Sequence, residues 1–310
     1  MAMDITGKKL FVKALSEEGV DTVFGYPGGM VTDILDELYK HEEIELVLPR
    51  HEQGLIHEAE GYARATGKVG VCLVTSGPGA TNIMTGLADA HYDNIPLVCI
   101  TGQVPLNLIG NDAFQEVDIV GMTRSITKYG VTVRDRKELG KILKMAFHIA
   151  QTGKPGPVLI DLPKDIQTAM GPGEYPESVS IRGYKPNASV HIGQLKKGYK
   201  LLKAAEKPLI LAGGGINIAG ANDKLLALVE KTKLPEDEQF YMSIGGEDPE
   251  TGESFMEEFT CLKTEEMESL TTLVRKLKTP FLPDRVITDT VLDELEKCYG
   301  GKQTAEETAK

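Results

Sequence analysis

The chain has 310 residues, of which 41% are hydrophobic and 26% are charged, and its formal net charge is −12. That length can supply two domains of ordinary size. The excess of negative charge argues against a nucleic-acid partner, because phosphate binding needs clustered Lys and Arg.

The composition also bears on where the protein works. No apolar run approaches the roughly 18 residues that a membrane span needs, and the N-terminus contains no signal-peptide core. Cys72 and Cys99 sit in apolar runs, whereas Cys261 and Cys298 lie far apart in an acidic region. No spacing of ligand-type side chains indicates a metal cluster. We therefore expect a cytoplasmic protein with no membrane contact and no metal site of its own.

Residues 1–166 alternate strand-like and helical patterns, which is typical of a parallel sheet built from βαβ units. Predicted strands span 21–26, 44–48, 69–75, 96–101 and 157–162. Predicted helices span 7–18, 31–41, 53–65 and 137–151, and most of them end at a glycine. The sequence therefore predicts an α/β domain with a doubly wound parallel sheet.

The rest of the chain is less regular. Residues 167–190 are polar and rich in Pro and Gly, which indicates a linker. A second, incomplete α/β domain begins at 191–234, with helices at 191–205 and 221–231 and a strand at 207–212. Residues 235–310 carry 19 acidic and 8 basic residues, and so 11 of the 12 net negative charges. We predict an unassigned acidic tail there, with helices at 264–278 and 289–299.

Ligands of open parallel sheets bind beyond the carboxyl ends of the strands, so the loops that follow the strands are candidate site segments. Two of these loops are glycine-rich and open onto helices, which lets backbone N–H groups approach a ligand. Such glycines also serve turn geometry alone. Glu52 begins the helix after the second strand, where a carboxylate is also favoured by the helix dipole. The candidate residues in these loops are Tyr26, Pro27, Gly28, Gly29, Glu52 and Ser76.

A longer pattern connects these loops to a known family. The run PRHEQGLIHEAEGYARATG at 49–67, followed by VCLVTSGPGATN at 71–82, resembles thiamine-diphosphate enzymes of the acetolactate synthase group. The similarity continues through GYPGG, HYDNIPLVCITGQVP, DAFQEVDIVGMTRSITKYG, GKPGPVLIDLPKD and KPLILAGGGI. It covers the first 234 residues and ends near Pro235.

The resemblance implies a fold and a set of roles. Residues 1–166 would be the pyrimidine-binding domain, in which Glu52 hydrogen-bonds N1′ of the cofactor's aminopyrimidine ring and so favours the imino form that activates the thiazolium. The reaction would condense pyruvate with a second 2-oxo acid, as in isoleucine and valine biosynthesis. Gln115 would contact the cofactor, and Phe114 and Lys164 would line the substrate channel. Lys164 could instead be a solvated surface lysine, but the match to the family favours the channel.

The family also holds flavin adenine dinucleotide (FAD) as a structural group. The glycines at the turn in the second domain, Gly213, Gly214 and Gly215, would contact the flavin, or would form a plain strand-to-helix turn. An arginine is expected where this sequence has Lys154. Lysine lacks the planar fork that grips phosphate in two places, so the sequence leaves FAD binding open.

The family's third domain is not recognisable in this sequence. That domain carries a Gly-Asp-Gly motif and holds Mg²⁺ with the diphosphate of the cofactor, and the 310 residues contain no Gly-Asp-Gly. The chain would then need a homo-oligomer or a complementing chain with the diphosphate half, and a small regulatory subunit is a further candidate partner. The alternatives are a non-catalytic truncated or fused fragment, or a half-site subunit of a relative such as oxalyl-coenzyme A decarboxylase or glyoxylate carboligase.

Overall fold

The computed structural model describes residues 3–186, 190–205, 210–232, 241–247 and 254–260. The chain divides at Ile192 into two compact units, which are considered separately. In chain order the elements of the first unit are β1 (Asp4–Thr6), α1 (Gly7–Glu17), β2 (Thr22–Gly25), α2 (Thr32–Leu38), β3 (Glu45–Val47), α3 (Glu52–Thr66), β4 (Gly70–Val74), α4 (Pro78–Asn82), α5 (Met84–Asp93), β5 (Leu97–Gln103), α6 (Ile119–Thr123), β6 (Tyr129–Thr132), α7 (Leu139–Gln151), β7 (Val158–Pro163), α8 (Lys164–Thr168) and β8 (Met170–Pro172).

Six of these strands form one parallel sheet in the order β3-β2-β4-β5-β7-β6. The five predicted strands are confirmed, and the α/β class with them. The sixth strand, β6, was missed. It is four residues long, reads YGVT, is only half-buried and lies at the edge of the sheet, so it lacks the apolar run that marks a central strand.

Helices cover both faces of the sheet, as predicted. On one face α1, α2 and α7 pack on the sheet around the fully buried Phe11 and Phe147. On the other face α3 and α5 pack around Leu55, Ile56 and Leu87. Strands β4 and β5 are buried along their whole length, which matches their apolar sequences.

A small antiparallel pair, β1 with β8, joins the start of the unit to the stretch predicted as a linker. The buried Arg136 guanidinium donates to the carbonyl oxygens of Ile5 in β1 and Pro172 in β8, and so ties the two strands to the turn before α7. Tyr175 and Tyr184 pack against the core further along. The described part of the predicted linker, residues 167–186, therefore belongs to the first unit.

The second unit contains α9 (Ile192–Ala204), α10 (Gly215–Ile218), α11 (Asn222–Thr232) and an antiparallel pair, β9 (Tyr241–Glu247) with β10 (Ser254–Thr260). The helices match the predicted ones at 191–205 and 221–231. Residues 210–212 of the predicted strand are not in a strand, and its residues 207–209 lie outside the described residues. The strand pair was not predicted, because the acidic side chains of β10 and the glycines of β9 hide any apolar run.

The predicted tail helices at 264–278 and 289–299 lie outside the described residues. Among the residues that the structure describes, no helix is long and apolar enough to cross a membrane.

Candidate functional site

The candidate site lies along the carboxyl edge of the main sheet. Three of its loops follow β2, β3 and β4, which are neighbours in the sheet, and the segment after β5 reaches the same edge. Because all the strands are parallel, their carboxyl ends meet there. The arrangement brings together the loops that the sequence predicted as ligand-binding segments.

Glu52 is the first residue of α3 and is partly buried. The helix begins here because His51 adopts an extended backbone and its Nδ1 accepts a hydrogen bond from the backbone N of Gln53, at 3.1 Å. Asn82 Nδ2 donates to Glu52 Oε2, at 3.0 Å. The carboxylate is therefore held on one oxygen by a side chain that comes from the end of α4.

The other oxygen of Glu52 lies over a glycine. A Cβ added at Gly79 would stand 3.4 Å from Glu52 Oε1 and 2.8 Å from Thr75 Cγ2. Gly79 thus lies between the β4 loop and the carboxylate, and a Cβ there would press on Thr75 while only reaching contact distance of Glu52. The glycine keeps α4 close to the head of α3, which is what allows Asn82 to reach Glu52.

The loop after β2 rests on the loop after β4. A Cβ added at Gly28 would fall 2.4 Å from Thr75 Cβ, which no side chain tolerates. The backbone N of Met30 donates to Thr75 Oγ1, at 3.3 Å. Gly29 differs from its neighbour, since a Cβ there would meet no described atom within 4 Å. Tyr26 is half-buried with its backbone N bonded to Leu73 O, and Pro27 is exposed.

Gln115 approaches the same edge from the segment after β5. A Cβ added at Gly77 would lie 2.8 Å from Gln115 O, and Gly77 has φ of 60°, so the position requires glycine. Gln115 itself has φ of 59°, a left-handed conformation that is uncommon for a side-chain-bearing residue. Phe114 beside it is 83% exposed. The sequence singled out Gln115 and Phe114 but held no signal for the contact between Gln115 and Gly77.

Ser76 is buried, and its Oγ has no hydrogen-bond partner among the described residues. A buried hydroxyl without a partner is uncommon and costs free energy. It lies between Thr75 and Gly77, in the loop that touches both the β2 loop and Gln115. The orphaned hydroxyl marks this loop as a place where a further polar group can bind.

Lys164 lies at the start of α8 and reaches the loop after β2. Its Nζ donates to Gly29 O at 2.7 Å and to Thr32 Oγ1 at 3.0 Å, and it pairs with Asp33 Oδ2 at 3.0 Å. The side chain is therefore anchored rather than freely solvated. Its partners Thr32 and Asp33 were not singled out from the sequence, because nothing in their spacing relates them to a residue 130 positions later.

A buried network supports the segment after β5. Asp161 on β7 accepts hydrogen bonds from Thr101 Oγ1, Thr132 Oγ1 and Gln103 Nε2, at 2.9, 3.0 and 3.1 Å. Gln103 also donates to Val117 O, at 3.0 Å. Burial raises the pKa of Asp161 to about 6, although these hydrogen bonds oppose the rise. The network fixes both ends of the segment that carries Phe114 and Gln115.

The remaining predicted residues are Lys154 and the glycines Gly213, Gly214 and Gly215. Lys154 is exposed and precedes β7, so it stands at the amino edge of the sheet and not at the carboxyl edge. Gly213, Gly214 and Gly215 belong to the second unit, where the backbone N of Ile216 donates to Gly213 O as α10 begins. A Cβ at any of the three would meet no described atom within 4 Å. Lys154 therefore does not lie at the edge that holds Glu52, and the three glycines are described within the second unit alone.

Comparison with known families bears on this edge directly. Residues 5–122 match the family model described as "Thiamine pyrophosphate enzyme, N-terminal TPP binding domain", and residues 195–241 match "Thiamine pyrophosphate enzyme, central domain". Residues 5–122 and 195–241 therefore carry domains of the thiamine pyrophosphate enzymes. The central-domain match extends a few residues beyond the predicted break at Pro235. The first match contains the loops after β2, β3 and β4 that form the candidate site.

Individual relatives narrow the group. The chain is 49% identical over 234 residues to the "Probable acetolactate synthase large subunit" of Methanococcus aeolicus, a match that covers 74% of this chain and 39% of that protein. It is 48% identical over 233 residues to the "Acetolactate synthase large subunit" of Haemophilus influenzae, and 49% identical over 233 residues to the "Acetolactate synthase isozyme 3 large subunit" of Escherichia coli. Each of these two matches covers 74% of this chain and 41% of the relative. The resemblance to acetolactate synthase large subunits is confirmed for the N-terminal portion, and the chain spans about two fifths of the length of these relatives.

Proposed function

We propose that the first unit supplies the pyrimidine half of a thiamine-diphosphate site, for an acetolactate synthase reaction that condenses pyruvate with a second 2-oxo acid. The observation that supports this proposal is the placement of Glu52. Its carboxylate stands at the carboxyl edge of the sheet, with one oxygen held by Asn82 and the other over Gly79. A ring nitrogen that approaches this carboxylate would find it already oriented.

The residues around Glu52 fit an aromatic heterocycle with polar edges. The open space at Gly29 leaves room for a flat group beside the β2 loop. The unpartnered Ser76 hydroxyl offers a hydrogen-bonding group in the loop between Gly28 and Gln115. A carboxylate, a hydroxyl and glycine-lined space are groups that can bind a pyrimidine carrying an amino group.

The chain's own residues would bind the cofactor and orient it. Thiamine diphosphate, when bound, supplies the carbon nucleophile and the electron sink for decarboxylation of a 2-oxo acid. Glu52 would form the hydrogen bond to N1′ and keep it in place through the reaction. Gln115, with Tyr26 and Pro27, would line the cofactor, and Phe114 is exposed where an incoming substrate would pass. Lys164 would act by holding the β2 loop through Gly29.

FAD, Mg²⁺ and the partner chains are proposed from the resemblance to the family. FAD would contact the three glycines of the second unit, with Lys154 in the place of an expected arginine. Mg²⁺ would come with the diphosphate half, since the sequence contains no Gly-Asp-Gly. That half would be contributed by a second chain in a homo-oligomer or by a complementing chain, in the cytoplasm. The relatives from Haemophilus influenzae and Escherichia coli are named as large subunits, which agrees with a small regulatory partner.

Complementation tests this proposal. The 310-residue chain is mixed with the remaining, diphosphate-binding part of the Escherichia coli isozyme 3 large subunit, and acetolactate formation from pyruvate is measured with thiamine diphosphate, Mg²⁺ and FAD. We expect no turnover by the chain alone and clear turnover by the mixture. Glu52→Gln should lower that turnover by about a hundredfold or more, because glutamine cannot supply the carboxylate.

Glu58→Gln is the matched control, because Glu58 is an exposed carboxylate on the same helix. It should leave the turnover of the mixture unchanged. Circular dichroism of each variant shows whether the fold is kept. Full turnover by a folded Glu52→Gln variant, or robust turnover by the chain alone, would contradict the proposal.

A further inference from the structure

A second cluster of chemistry-bearing side chains lies away from the carboxyl edge, between α3 and α5. His57 and Glu60 stand one helical turn apart on α3, and Asp89 faces them from α5. His57 Nδ1 lies 2.7 Å from Glu60 Oε2 and 4.0 Å from Asp89 Oδ2. One nitrogen or oxygen atom from each of the three residues lies within 4.8 Å of the others.

No spacing of ligand-type side chains in the sequence indicates this cluster. His57 and Glu60 have a spacing that places two side chains on one helix face. The third ligand comes from a helix nearly thirty residues later, and only the packing of α3 against α5 brings it near. A spacing rule that looks for ligands along one segment cannot find such a site.

Glu60 is the unusual member of the cluster. Its residue surface is only 3% exposed, and its Oε1 atom is buried with no hydrogen-bond partner among the described residues. Burial raises the pKa of the Glu60 carboxyl, the charge of Asp89 acts in the same direction, and the His57 hydrogen bond opposes them. A buried carboxylate with one satisfied and one unsatisfied oxygen is costly unless a cation or a proton completes it.

The nearest side-chain cation on the same helix is committed elsewhere. Arg64, one turn beyond Glu60, forms an ion pair with Asp93 on α5. The Arg64 guanidinium thus makes its hydrogen-bonded ion pair with Asp93, and it acts on Asp89 and Glu60 only through its charge. His57 cannot satisfy both Glu60 oxygens, because its Nδ1 meets only Oε2.

We propose that His57, Glu60 and Asp89 bind a divalent transition-metal ion of the Zn²⁺ type. One imidazole nitrogen with two carboxylates is a donor set that suits Zn²⁺, whereas Ca²⁺ and Mg²⁺ prefer oxygen alone. Ligand atoms around Zn²⁺ stand on the order of 3.3 Å apart for bonds of about 2 Å. His57 Nδ1 lies 2.7 Å from Glu60 Oε2 and 4.0 Å from Asp89 Oδ2, one distance below that value and one above it. Small rotations of the side chains would therefore bring the ligand atoms to the spacing that Zn²⁺ needs.

The cluster is open to solvent on one side, so an ion can reach it from solution. The side chain of His57 is 41% exposed and that of Asp89 is 50% exposed, whereas Glu60 forms the buried floor. Three protein ligands leave a fourth position for water or for a group from another molecule. The bound ion would also join α3 to α5, and α3 is the helix whose first residue is Glu52.

Zn²⁺ alone is the probe for the test. Binding of Zn²⁺ to the full 310-residue chain is measured by titration calorimetry, and Co²⁺ absorption reports the coordination of the same site. We expect one Zn²⁺ per chain at this site and a rise in the thermal unfolding midpoint on binding. His57→Gln and Asp89→Asn should each weaken that affinity at least about tenfold and remove the midpoint rise.

Both substitutions are at half-exposed positions, so the variants should fold, and Glu58→Gln is the control that removes a carboxylate beside the cluster. Glu58→Gln should bind Zn²⁺ like the wild type. The proposal is overturned if the wild type binds no Zn²⁺, or if His57→Gln and Asp89→Asn bind it as the wild type does. Either result would leave the cluster as a plain ion pair, and neither depends on whether the chain binds thiamine diphosphate.

Discussion

Asn82 donates a hydrogen bond from its amide to the Glu52 carboxylate across a sequence separation of 30 residues. The pair joins the end of α4 to the start of α3 at the carboxyl edge of the sheet. It also fixes the direction of the bond, because an amide donates and a carboxylate can only accept. Exchanging the amide and the carboxylate between the two positions should therefore separate the effect of the hydrogen bond from the effect of the charge.

Asn82→Asp should destabilise the chain at pH 7, because two carboxylates then face each other at hydrogen-bond distance. At 3 to 4 Å the repulsion is roughly 1 to 4 kcal/mol for a partly exposed pair. The double variant Glu52→Gln with Asn82→Asp should recover most of that loss, since the glutamine amide can donate to the new carboxylate. Urea unfolding of the two single variants and the double variant gives the coupling energy. A double variant no more stable than Asn82→Asp would show that the pair is not in contact.

Gly28→Ala should lower the free energy of unfolding by about 1 to 3 kcal/mol, because the new Cβ would collide with Thr75 and move the β2 loop. Gly29→Ala is the control at the next residue, where a Cβ meets no described atom within 4 Å. It should change the stability by less than about 0.5 kcal/mol. Chemical denaturation of both variants measures the difference. Equal losses at the two positions would mean that the loop does not rest on Thr75.

The stability of the first unit should fall as the pH rises from about 4 to about 6, in part because of Asp161. Burial raises the pKa of this carboxyl from 3.8 in the unfolded chain to about 6 in the folded one. The folded state therefore holds the proton more tightly, and that advantage is complete below pH 4 and lost as the pH passes 6. For a buried group, a shift of this size corresponds to roughly 3 kcal/mol.

Asp161→Asn isolates this contribution, because asparagine is neutral and can still accept from Gln103 and donate to Thr101. The difference in unfolding free energy between wild type and variant should grow in favour of the variant between pH 4 and pH 7. Urea titrations at several pH values measure it. A difference that does not change with pH would show that Asp161 keeps an ordinary pKa.

Hydrogen exchange should be slow in β4, β5 and β7 and much faster in α9. The three strands are buried along their whole length, whereas α9 has no buried residue. Amide protection follows the free energy of local opening, which burial and packing raise. Exchange read by mass spectrometry tests this in one experiment. Protection in α9 equal to that in β5 would mean that the second unit is packed more firmly than its described contacts indicate.

The fold and the candidate site could be predicted from the sequence only in part. The strands with continuous apolar runs were predicted, because burial on both faces imposes that composition. The edge strand β6 was missed, since half-buried polar residues carry no such signal. Glu52 could be placed at the head of a helix from local pattern alone. Its partner Asn82, the support of Gln115 by Gly77, and the His57 cluster could not, because each depends on packing between segments far apart in the chain.

Gln167 is hydrogen-bonded to the β2 loop, and this contact limits how far the C-terminal end of the first unit can be shortened. Its Nε2 donates to Met30 O at 2.8 Å and to Leu162 O at 2.9 Å, and it is fully buried. A chain ended at Pro163 would keep all six strands of the main sheet and yet lose both this bond and the Lys164 contacts to Gly29. Such a fragment would keep its strand content, whereas the β2 loop near Glu52 would lose its hydrogen bonds to Gln167 and Lys164. A fragment meant for ligand studies should therefore run at least through Pro172, where β8 ends.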